Sequence, residues 1–230
     1  MKKYSKRYKK LIDLAKNYKP SVLKDIIPLV KKTSTAKFDE SVDASFRINM
    51  KQSKGGDVNL RTVVNLPYGS GKKIKVAVIC EDDKLELAKK SGADIFGSDN
   101  LISEINSGKI NFDKVISTPS MMSKIAKLGK VLGPKGLMPN PKLGTVTDNI
   151  KSAVESIKSG QIEIKNDEDG NIGASIGKKS FSEDKISKNF ETILEVISKE
   201  KPVNQKGTFI LSAFLSSTMG VSYKIKLKSL

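Results

Sequence analysis

KKIKVAVICEDDKLELAKKSGADIFGSDNLISEINSGKINFDKVIST, Lys72 to Thr118, decides the fold. IKVAVIC (74–80) is an apolar run of strand length, and a run without polar alternation suits a strand covered on both faces. Residues 83–91 follow with a helical pattern that ends at Gly92. ADIF (93–96) is a short strand, 99–107 a second helix and KVIST (114–118) a further strand. Strand–helix alternation of this kind predicts parallel βαβ units and a three-layer, Rossmann-like α/β fold.

On either side the rhythm differs. Residues 4–18 and 21–33 read as helices, the second with Ser21 as N-cap and Val22, Ile26, Leu29 and Val30 along one side. VDASFRINM (42–50) and VNLRTVVNL (58–66) read as strands. After Gly160, QIEIK (161–165), a turn at DEDG and NIGASIG (171–177) give a hairpin signal. A helix over 183–200 starts near Ser182 and stops before Pro202, and GTFILSAFLS and VSYKIKL close the chain as strands. This is α+β logic. The economical solution is a discontinuous two-layer α+β domain, residues 1–67 and 160–230, with residues 68–159 inserted as the three-layer α/β domain. Two adjacent crossings, near Pro67 and Gly160, make a natural hinge.

Composition bounds the partner. The chain has 42 Lys+Arg against 25 Asp+Glu, a net charge of +17, which suits a polyanion because neutralising phosphates releases condensed counterions. The only arginines are Arg7, Arg47 and Arg61, so lysine point charges dominate and favour phosphate contact over bidentate reading of bases. Residues 1–67 hold 16 basic and 6 acidic residues, the insert 15 and 10, and residues 160–230 hold 11 and 9. The N-terminal helices are therefore the most basic part and are candidates for phosphate contact. With no histidine and a single cysteine, the chain has no imidazole base, no intrachain disulfide and no cysteine-rich zinc site. Cys80, closing an apolar run, is expected to be a buried core thiol. No metal or cofactor is expected. No apolar run reaches the ~18 residues of a membrane span, and the basic opening MKKYSKRYKK lacks a signal-peptide core, so a cytoplasmic protein with no membrane partner is expected.

Motifs that suggest an enzyme fail on inspection. PYGSGKK (67–73) has Leu66 where a phosphate loop needs its first glycine and Lys73 where it needs Ser or Thr, and it precedes a strand. It reads as a basic turn. In CEDD (80–83), Asp82 and Asp83 suit a helix N-terminus, and DEDG (167–170) is too short for a calcium loop. No nucleophile has a recognisable base. The chain reads as a non-enzyme.

LGKVLGPKGLMPNPKLGTVT, Leu128 to Thr147, holds four glycines, three prolines and lysines at 130, 135 and 142. Glycine opens backbone conformations closed to other residues and proline fixes φ, so no regular helix or strand is expected here. Val131, Leu132, Leu137, Met138 and Leu143 make it a loop that packs itself and presents lysines rather than a linker. The segment resembles the signature loop of the large-subunit ribosomal protein L-one family, the proteins of the mobile ribosomal stalk. TAKFDESVD (35–43), VVNLPYGSGKKIKVAV (63–78), GADIFGSDNLI (92–102) and LSSTMG (215–220) are similar to family segments in the same order.

The resemblance implies the same discontinuous layout. It also implies binding of large-subunit ribosomal RNA through the first domain, movement of the stalk against deacylated tRNA leaving the ribosome, and repression of the protein's own operon mRNA. A chain that is monomeric off the ribosome is expected. From the residues alone, Phe38 in AKFDES reads as core and SSTMG (216–220) as a hairpin turn. The family places its RNA site in these regions, which carries over to Lys37, Phe38 and Ser41, to Lys165 in EIKND, and to Ser212, Thr218, Met219 and Gly220. Two departures stand out: Val221 replaces the usual proline after TMG, and Gly173 stands where the family commonly has histidine or another polar residue. The alternatives are an RNA regulator that works apart from the ribosome and a nucleotide-dependent enzyme on the βαβ insert. The second lacks the glycine pattern it needs.

Overall fold

The computed structural model describes residues 4–16, 18–50, 60–202 and 207–227. In chain order it forms α1 (Lys6–Ala15), α2 (Leu23–Thr33), β1 (Ser41–Ile48), β2 (Arg61–Asn65), β3 (Val76–Ile79) and α3 (Leu85–Lys90). Then come β4 (Ile95–Gly97), α4 (Asp99–Asn106), β5 (Lys114–Ser117), α5 (Met122–Ala126), α6 (Gly129–Leu132) and α7 (Ile150–Lys158). The chain closes with β6 (Gln161–Lys165), β7 (Asn171–Lys178), α8 (Glu183–Lys199), β8 (Ile210–Ser217) and β9 (Tyr223–Ile225). Residue 17 of the first expected helix and residues 58–59 of the second expected strand lie outside the described residues.

The chain divides into two compact units, Met1–Gly71 with Ile162–Leu230, and Lys72–Gln161. In the first, an antiparallel sheet of order β7-β1-β8-β9 carries α2 and α8 on one face. Along β1, Val42, Ala44, Phe46 and Ile48 are buried while the alternate residues are not, the period-2 signature of a sheet with one covered face. On α8, Ile186, Phe190, Ile193 and Ile197 repeat at helical spacing and are all buried, and the Phe190 ring lies 5.2 Å from that of Phe46. Helix and sheet thus share one core.

Two expectations fail here for physical reasons. β6 and β7 do not form a hairpin in one sheet: β6 pairs with β2, β7 with β1, and only an isolated bridge, Asn166 with Ile172, joins them. Asn166 diverts the chain, because its Oδ1 accepts from the Leu60 amide at 2.6 Å while its own amide donates to Leu60 O at 3.1 Å. The second helix is not capped by Ser21, which instead bridges in parallel to Ile225, and Val22 is exposed rather than on the apolar side.

The second unit is a parallel sheet of order β4-β3-β5. All four residues of β3 are buried, as a strand covered on both faces demands. Ala77 and Ile79 point to a core shared with α4 and α5; Val76 and Val78 point to one shared with α3 and α7. Helices on both faces give the three-layer α/β architecture. Cys80 is fully buried in the second of these cores, and burial pushes its thiol up from the ordinary value. The glycine- and proline-rich segment after β5 keeps more regularity than expected: a single α-helical turn survives at Gly129–Leu132 and a 3-10 turn at Pro141–Leu143.

Candidate RNA-binding site

At the end of the first unit's sheet two segments meet, residues 34–41 leading into β1 and residues 217–220 leaving β8. β1 and β8 are antiparallel with Val42 opposite Ser217, so the approach to one strand lies beside the exit of the other. The Thr218 amide donates to Ser41 O (3.1 Å), and the Ser41 amide donates to Thr218 Oγ1 (3.0 Å). Thr218 is therefore a hydroxyl lock on the ladder's last rung.

Beneath this rung lies Glu40, fully buried. Its Oε1 accepts from the Ala36 amide at 2.8 Å and its Oε2 from the Met219 amide at 3.0 Å. Burial pushes the Glu40 carboxyl up, but those two amides, the Ser217 hydroxyl and the Lys179 charge outweigh it and hold the carboxyl below its ordinary range. Lys179 is placed by two further bonds: its amide donates to Glu40 O at 2.8 Å and its Nζ to Ser34 O at 2.5 Å. One buried carboxylate thus ties both site segments to a single point.

Gly220 has a role that its sequence context does not reveal. A Cβ at Gly220 would stand 2.3 Å from Ser217 Oγ, and its φ is not positive. The glycine is needed for inward packing. Val221, where a proline is usual in the family, is buried in the core. Arg7 of α1 completes the turn: its Nη2 donates to Met219 O at 2.8 Å and its Nη1 to Thr35 Oγ1 at 2.9 Å.

Above this framework the exposed groups are Thr35, Lys37, Phe38, Asp39, Thr218 and Met219. Phe38 is 55% exposed and Met219 48%, so the reading of Phe38 as core is overturned. Lys178 Nζ donates to Ser41 Oγ at 3.2 Å. An exposed ring and thioether among lysines and small hydroxyls can cover a base or sugar face while cations meet phosphates.

Ser212 and Lys165 belong to a different part of the surface. Ser212 pairs with Arg47, six residues along β1 from Ser41, a distance of about 20 Å at strand rise. Lys165 lines an open recess with Ser45, Asn166, Asp167, Asn171, Ile172 and Gly173. The face between the two groups is the sheet's uncovered side. Its cross-strand rows are Ser175, Asp43 and Ser216, then Gly173, Ser45, Phe214 and Lys224, then Asn171, Arg47 and Ser212. Four serines and one glycine share this face with Arg47, Lys224, Asp43, Asn171 and the ring of Phe214, a mixture of hydroxyls, charges and one aromatic that suits an RNA backbone and sugar. The space directly above Gly173 is open: a Cβ there would meet nothing within 4 Å. Sequence reasoning missed Arg7, Glu40, Lys178 and Lys179, which are brought to the site by pairings between distant parts of the chain.

The chain matches the model of the Ribosomal protein L1p/L10e family over residues 30–221. The chain belongs to this family. The match covers every site residue named above except Arg7 and Lys224. Among curated relatives, the large ribosomal subunit protein uL1 of Pelagibacter ubique is 58% identical over 224 residues, 97% of this chain and 97% of that protein. The proteins of the same name from Kosmotoga olearia and Prochlorococcus marinus are 45% and 44% identical, covering 98% and 100% of this chain and 97% of each relative. Membership in this family makes the chain a structural ribosomal protein rather than an enzyme.

Proposed function

We propose that the chain is a constituent of the large ribosomal subunit, working in the cytoplasm as part of the ribosome, and that its first unit binds ribosomal RNA at the mobile stalk. The observation that carries this reading is the framework around Glu40, which holds Lys37, Phe38, Ser41, Thr218, Met219 and Gly220 as one preformed surface. Preformed surfaces bind more tightly because little ordering is left to do. Ser212 and Lys165 extend the surface along the sheet's open face, where a duplex or a folded junction can rest on hydroxyls and lysines. The excess of lysine over arginine favours recognition of RNA shape.

The finer roles follow from the same site. Displacement of deacylated tRNA needs the stalk RNA held at a fixed point, and repression of the protein's own mRNA needs only that the message fold into a copy of the ribosomal target. Both reduce to one specificity. The deciding experiment is subunit profiling of a tagged chain, followed by crosslinking of its RNA. The expected result is co-sedimentation with the large subunit and crosslinks to stalk RNA, with the same RNA competing for an operon transcript. A chain that sediments only with free RNA would instead favour a regulator that works apart from the ribosome.

A further inference from the structure

The period of α1 decides where each of its cations points. Leu11 is buried in the first unit's core, Tyr8, Ile12 and Ala15 pack against that core, and Lys6, Lys9 and Lys10 face solvent. Arg7 stands four residues before Leu11, so the two share one side of the helix and Arg7 turns toward the body of the unit. The helix is capped by Ser5, whose hydroxyl accepts from the Tyr8 amide at 3.2 Å. A cation in the first turn opposes the helix macrodipole, so Arg7 does not serve the stability of its own helix.

Its two bonds reach far along the chain. Nη2 donates to Met219 O at 2.8 Å, 212 residues away, and Nη1 to Thr35 Oγ1 at 2.9 Å, 28 residues away. Met219 is thus held on both sides, its amide by Glu40 Oε2 at 3.0 Å and its carbonyl by Arg7. The neighbouring segment is held likewise, the Ala36 amide by Glu40 and the Thr35 hydroxyl by Arg7. A buried anion and a half-buried cation, on different elements, therefore cross-link the same two segments. Both acceptors of Arg7 are neutral and both bonds are open to solvent, where water replaces a lost partner, so they contribute little to the stability of the fold. What they fix is the conformation of a turn whose Met219 side chain is 48% exposed.

We propose, on the reading of this surface as the RNA site, that Arg7 is a positioning residue for RNA recognition, acting through the Met219 turn. The N-terminal helix is then a third wall of the site as well as a source of charge. A phosphate contact of the kind assigned to Lys9 and Lys10 needs only a cation. Positioning needs a planar fork whose two nitrogens serve two acceptors at once, and lysine has the charge without the fork.

The test uses full-length chains carrying Arg7→Lys, Met219→Ala and both changes. Each is titrated against a stalk RNA fragment and a scrambled RNA of the same length over a series of salt concentrations, with thermal melts to confirm folding. Arg7→Lys should bind the stalk fragment about three- to tenfold more weakly, the scale of ordering one side chain on binding. Its salt slope, its affinity for scrambled RNA and its melting temperature should stay close to those of the wild type. Met219→Ala should weaken the stalk fragment by itself, and adding Arg7→Lys to it should cost nothing more, because the group that Arg7 places is then gone. Wild-type binding of the stalk fragment by Arg7→Lys would overturn the proposal and leave Arg7 as one more charge. Equal losses on both RNAs would overturn it too, as would losses that add in the double variant. A Met219→Ala chain that keeps its full preference for the stalk fragment would instead remove the first-unit site itself, and the role of Arg7 with it.

Discussion

Both oxygens of the Glu40 carboxylate accept from backbone amides, one on each segment of the candidate site, and this decides what a substitution does. In Glu40→Gln one of the two acceptors becomes an NH2 that faces an N–H. A buried donor left unpaired costs about 1–3 kcal/mol, so stability should fall by that order while the overall fold survives. The pH dependence follows from the sign of the shift. Glu40 ionises below its ordinary value in the folded chain, so its contribution is present in full above the unfolded pKa and is lost as pH falls through the lower folded value. Chemical denaturation at a series of pH values should show the wild type losing stability below the ordinary glutamate range. The Gln variant should be weaker at neutral pH and flatter in that window. An identical slope in both proteins would remove Glu40 from this role. In the sequence this residue was one of two acids beside Phe38, and nothing in its spacing distinguished it from Asp39, whose carboxylate instead accepts from Ser180 Oγ at 2.9 Å.

At the scale of elements, the sequence was most legible where period alone decides structure. β3 and α8 read correctly because an unbroken apolar run and a 3-4 spacing each have one good solution. The β6–β7 hairpin misread because sheet membership is a long-range property: Asn166 bonds Leu60, more than a hundred residues away, and β6 joins β2 rather than β7. Phe38 misread because a lone aromatic carries no period, so only its surroundings assign it to surface or core. The division of labour between elements is also testable. Thr218→Val or Met219→Asp should weaken cognate RNA by about 1–3 kcal/mol and leave scrambled RNA nearly unaffected, because the turn supplies placed groups. Changing Lys9 and Lys10 on α1 to Gln should weaken both RNAs alike and lower the salt slope, because exposed lysines act as charge. Titrations of each variant against the two RNAs, with melts to confirm folding, check both statements. Equal losses on both RNAs for Thr218→Val would return the 218–220 turn to a plain connection.

At the scale of the molecule, two rhythms in one sequence pointed to two kinds of packing, and charge separates them further. Residues 1–67 and 160–230 together carry 27 basic and 15 acidic residues, and they contain all eight residues assigned to the candidate site. The inserted unit has its own two cores on either face of its sheet, and the first unit has one continuous core. A unit with a complete core satisfies the condition for folding alone. Joining residues 1–67 to 160–230 through a short glycine–serine linker should therefore give a cooperatively melting protein with the circular dichroism of a mixed helix and sheet fold. That protein should bind the stalk RNA. With about six phosphate contacts, its affinity should fall roughly a thousandfold between 50 and 200 mM salt, since condensed counterions are released on binding. The isolated insert should fold but bind the same fragment poorly. The outcome that would sink the assignment is a joined protein that is folded by dichroism, melts in one transition and shows no salt-sensitive binding. In that case the Glu40 framework would be a structural corner of the sheet, and the RNA affinity of the chain would have to reside in the insert.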